Sequence, residues 1–80
     1  MEIKLSEEQV SEINAFLESV LNEERLGMEL INRGHINDGC ETVLRARNKW
    51  SGAVEILHKM NLRVNIGEYN EVTLKEVTSW

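Results

Sequence analysis

The residues with most scope for chemistry gather between positions 35 and 41: His35, Asp38, Cys40 and Glu41, with His58 well downstream. A catalytic cysteine needs a base within hydrogen-bond reach and a lowered pKa. Cys40 stands near the start of a helical segment, but its helical phase turns it towards Ile31, as suits a small buried hydrophobe. A metal site built from His35, Asp38 and Glu41 would have to converge across a helix boundary. Asp38 and Glu41 have a simpler task there as capping residues. A closed structural zinc site wants four ligands, more than one cysteine and two histidines supply. The five glycines are scattered, without the spacing that cradles a phosphate. His58 falls beside Ile13 and Asn14 and reads as a boundary histidine. No catalytic residue, metal or cofactor is expected, and the chain reads as a non-enzyme.

Composition narrows the remaining classes. Eighty residues make one domain, and a chain of this size buries only about 60% of the surface that its unfolded form exposes. Small domains are usually stapled by disulfides, a metal or a partner chain. A single cysteine rules out an internal disulfide, so association is the staple left. The first residues lack a basic region followed by an apolar run of about 7–15 residues. No stretch approaches the roughly 18 apolar residues that span a bilayer. With one lone thiol, a reducing, cytoplasmic setting without membrane contact is expected.

Charge is distributed unevenly along the chain. Residues 1–32 hold eight acids against two bases, whereas residues 33–63 hold three acids against six bases. The acidic first half and the basic second half attract one another once folded, and the same asymmetry favours antiparallel pairing between chains.

The elements follow from local signals, and the chain carries no proline, repeat or linker. Residues 2–5 alternate and read as a short strand. Ser6-Glu7-Glu8-Gln9 is a capping box, so a helix should run over 7–33 and end at Gly34. A second helix is expected over 38–61, with Asp38-Gly39-Cys40-Glu41 as its capping box; a start early enough to include Ile36 is the alternative. The short connection forces the two helices antiparallel. Residues 63–66 and 71–77 read as a β-hairpin. The rival reading takes Thr73-Leu74-Lys75-Glu76 as the cap of a terminal helix, and the β-branched run favours strand. The expected fold class is mainly helical α+β: an antiparallel two-helix hairpin with a small antiparallel sheet from the C-terminal segment, with residues 2–5 as a candidate third strand.

At 3.6 residues per turn, Val10, Ile13, Leu17, Val20, Leu21, Met28 and Ile31 share one stripe of the first helix. Cys40, Val43, Leu44, Trp50, Val54 and Leu57 share one of the second. Facing residues of the hairpin should have numbers summing to about 71. Ile31 then meets Cys40, Met28 meets Val43, and Glu24 meets Arg47. A Glu24–Arg47 ion pair inside the seam would set register, since any slip would leave a charge facing leucine and methionine.

A second apolar face remains: Phe16, Leu26 and Leu30 on the first helix, Ala46, Ala53, Ile56 and Met60 on the second. The sheet covers one end of it at most, which leaves Leu26 and Leu30 for something outside the chain. Trp80, an aromatic last residue, is a further candidate contact. The contact set is therefore Phe16, Leu26, Leu30, Ile56, Met60 and Trp80. The expected function is a protein–protein interaction module: a small accessory or regulatory protein that forms a homodimer or binds and modulates a partner protein. A role related to nucleic acid is the alternative. Arg45, Lys49, Lys59 and Arg63 could line a phosphate backbone, or the acidic helix could mimic one. A pI near 5.0 and the lack of surface aromatics among those bases weigh against direct binding.

Overall fold

In the computed structural model, residues 5–77 are described. Two long helices, α1 (Glu7–Asn32) and α2 (Ile36–Lys59), pack antiparallel, and two strands, β1 (Leu62–Ile66) and β2 (Val72–Glu76), form an antiparallel hairpin against them. The fold is mainly helical α+β. The candidate strand at 2–5 falls almost wholly outside the described residues, as does Trp80.

The start of α1 is chemically over-determined. Ser6 Oγ accepts from the Gln9 amide at 3.1 Å, and Gln9 Oε1 accepts from the Ser6 amide at 2.9 Å, completing the capping box. Its end is a Schellman turn. Gly34 takes φ +93, its amide donates to Ile31 O, and the His35 amide donates to Leu30 O. That turn delivers the chain straight into α2 at Ile36, the earlier of the two starts the sequence allows and two residues before Asp38. The cap position falls on His35, whose side chain makes no cap bond. The Asp38–Glu41 capping box does not form, and Asp38 instead offers its carbonyl to Thr42 Oγ1 at 2.8 Å.

The seam between the helices differs in phase from the hydrophobic stripes. At the loop end the buried positions are Gly27 on α1 and Gly39, Val43 and Ala46 on α2. A Cβ on Gly27 would stand 2.7 Å from Val43 Cγ2, and one on Gly39 would stand 2.6 Å from the Gly27 carbonyl oxygen. Glycine is needed at both, because the two backbones touch there. Gly27 thus takes the place expected of Met28, and Gly39 that expected of Cys40. Met28, Cys40 and Leu44 all turn to solvent, Leu44 at 60% exposure. Ala46, expected on the outer face, is fully buried. The physical reason is distance: small side chains let the helices approach closely, and close approach excludes the larger neighbours.

The other end is held by conventional packing. Leu17, Leu57 and Val72 form the buried cluster, with Ile13, Leu21, Trp50, Ala53, Leu62, Val64 and Leu74 around it. Strand register pairs Val64 with Leu74 and Ile66 with Val72, so alternate side chains point at the helices. Asn61, at φ 60, turns the chain from α2 into β1, and Asn70, at φ 61, serves the hairpin turn. The Val72 amide donates to Glu18 Oε1 at 3.3 Å, tying β2 to α1.

Candidate functional site

Five-residue strands reach only about 17 Å, against an overall length of 48 Å. The sheet therefore covers one face of the hairpin, and only towards one end. On the opposite face a shallow groove of about 310 Å³ runs between the helices, lined by Glu12, Ile13, Phe16, Ala53, Ile56, Leu57 and Met60. No strand residue lines it. Its walls expose Phe16 and Ile56, at 46% and 61%.

Three of the expected contact residues, Phe16, Ile56 and Met60, thus meet in one groove. Leu26 is more than half exposed and Leu30 half-buried, further along the same side of α1 towards the loop. Between the two apolar zones, Lys49 Nζ lies 3.0 Å from Glu23 Oε2 and links the helices. This pair turns Lys49, one of the four bases that could line a phosphate backbone, towards α1 instead. Its signal lay in the hairpin register, which brings positions 23 and 49 level.

Arg47 Nε approaches Glu24 Oε2 at 3.9 Å, with side-chain exposures of 61% and 31%. The two charges stand at the rim of the hairpin, with Ala46 in the seam beside them. An ion pair this open to water contributes about 0–1 kcal/mol.

The candidate chemical residues are dispersed. His35, Asp38, Cys40 and Glu41 are all exposed at the start of α2, and among the described residues no hydrogen bond or ion pair joins any two of them. Nor does any group of three His, Cys, Asp or Glu among the described residues gather where a metal ion could be held. His58 borders a cleft between α2 and β1 with Trp50, Val54, Leu62 and Arg63. Of the four bases proposed for a phosphate backbone, Lys49 is engaged by Glu23 and Lys59 by Glu55, at 3.8 Å. Among the described residues, no helix is long and apolar enough to cross a membrane.

Among the described residues, the fold is a helical hairpin with its own sheet on one face, towards one end, and no strand on the other face. The chain matches no protein-family model, no curated protein and no solved structure.

Proposed function

We propose that this protein is a non-enzymatic protein–protein interaction module, a small accessory or regulatory protein that works through the open face of its helical hairpin. The observation that carries the reading is the Phe16–Ile56–Met60 groove, an apolar surface on the side the strands do not reach. Large apolar side chains exposed together on a small domain mark an interaction site more often than isolated ones do. His35, Asp38, Cys40 and Glu41 all lie exposed in water at the start of α2, which suits the non-enzymatic reading. Cys40, a free exposed thiol, suits a reducing compartment such as the cytoplasm.

The test uses Phe16→Glu combined with Ile56→Glu. Both side chains are already about half in water, so the variant should fold and melt close to the unaltered protein. It should lose the companions that co-purify with the full chain from its source cells. A variant that folds normally and retains every companion would refute the reading.

A further inference from the structure

We infer that the occupant of the open face is a second copy of this chain, related by a twofold axis parallel to the hairpin, so that α1 of each protomer lies antiparallel against α2 of the other. This rests on the reading of that face as an interaction surface, and adds the partner and its register.

Size is the first argument. Helices of 26 and 24 residues present a face about 36 Å long and about 20 Å wide. That is roughly 700 Å² per chain, close to the ~800 Å² per partner of a standard interface.

Charge is the second. Gly27 faces Val43 and Gly39 faces Ile31, which fixes the level of every α1 position against α2. At those levels Glu12 stands opposite the His58–Lys59 step and Arg33 opposite the Asn37–Asp38 step. Glu12 lines the groove. Lys59 is one helical turn from Ile56, and Arg33 one turn from Leu30, so these charges flank the apolar zones. A twofold parallel to the helices lays each α1 level on the partner's α2 at the same level. Glu12 then meets the partner's Lys59, Arg33 meets the partner's Asp38, and Phe16 meets the partner's Ile56. The Glu23–Lys49 pairs of both copies join at the middle, and Leu26 lies over the aliphatic stem of the partner's Arg45. The alternative twofold, perpendicular to the helices, stacks α1 on α1 and sets acid against acid along a helix with seven acids and one base. The Lys59–Glu55 contact within one chain is more than 70% exposed on both sides and is readily exchanged for the intermolecular one.

The experiment is light scattering of the full chain over a dilution series, with Glu12→Lys and Lys59→Glu measured singly and mixed. The unaltered protein should show twice the 9.2 kDa chain mass. Each single variant places like charges at two symmetric contacts and should weaken association by about tenfold or more. An equimolar mixture should recover the dimer, because the two changes are complementary across the axis. Circular dichroism on each variant should show the unaltered helix content, since both positions are exposed. A mixture no better than the single variants overturns the inference. So does a protein that stays at one chain mass at every concentration. If that monomer still loses its cellular companions on Phe16→Glu with Ile56→Glu, the open face remains an interaction surface for a different protein.

Discussion

Leu57 and Ile56 are neighbours in sequence and opposites in environment: Leu57 is 4% exposed beneath the sheet, and Ile56 is 61% exposed above the groove. The same division runs through the end of the hairpin where the sheet packs. On the covered face, Leu17, Leu57 and Val72 bury one another, and burial of each such side chain contributes about 1.5–3 kcal/mol. On the open face, Phe16, Ile56 and Leu26 keep roughly half their surface in water and contribute correspondingly little to the isolated chain. Apolar residues in one helix therefore differ in what they contribute to the stability of the chain according to which face they occupy, and composition alone does not separate the two.

The largest effect should come from the covered side. Leu17 is fully buried, so Leu17→Ala should cost about 2–5 kcal/mol. For a chain of this length, whose total stability is of order 4–12 kcal/mol, that approaches unfolding; chemical denaturation would measure it. If Leu17→Ala proves as mild as a change on the open face, the division between the faces fails.

The glycine contact at the loop end comes next. A Cβ at position 39 would stand 2.6 Å from the Gly27 carbonyl oxygen and 2.6 Å from Ile31 Cγ1. Gly39→Ala gains helix propensity but must push the helices apart, and a net loss of about 1–3 kcal/mol is expected. Gly52 is the control, since nothing lies within 4 Å of a Cβ built there. Gly52→Ala should stabilise the monomer by about 0.5–1 kcal/mol. Thermal melts of the two variants side by side should shift in opposite directions.

These glycines also show where the sequence misleads. The ends of α1 are legible because side chains announce them: Ser6 and Gln9 cap each other, and Gly34 takes the left-handed turn. The start of α2 is ambiguous in the sequence between Ile36 and Asp38, because backbone bonds of the Schellman turn launch it and His35 adds no side-chain cap. The seam is half legible for a related reason. Hydrophobic spacing favours Met28, Cys40 and Leu44, whereas contact distance favours Gly27, Gly39 and Ala46. The second apolar face is legible, because Phe16, Ile56 and Met60 lie in a stripe too wide for one seam. The link between Glu23 and Lys49 is a tertiary fact, since nothing local pairs residues 26 positions apart.

The smallest expected effect concerns the charges at the rim. A pair enclosed in the seam would make Glu24→Met and Arg47→Leu each costlier alone than together. With Arg47 61% exposed and a 3.9 Å approach, each single change should cost under about 1 kcal/mol, and the coupling between them should be smaller still. A double-mutant cycle read by denaturation would expose any larger coupling.

The most direct test of the division sets Ile56→Ala beside Leu57→Ala, with each variant melted at high and at low protein concentration. Leu57→Ala should lower stability by about 2–5 kcal/mol at both concentrations, as loss of a buried core side chain does. Ile56→Ala should leave the dilute protein unchanged within about 0.5 kcal/mol and remove the extra stability that rises with concentration. If Ile56→Ala instead destabilises the dilute protein as much as Leu57→Ala does, the open face belongs to the chain's own core and the account is wrong.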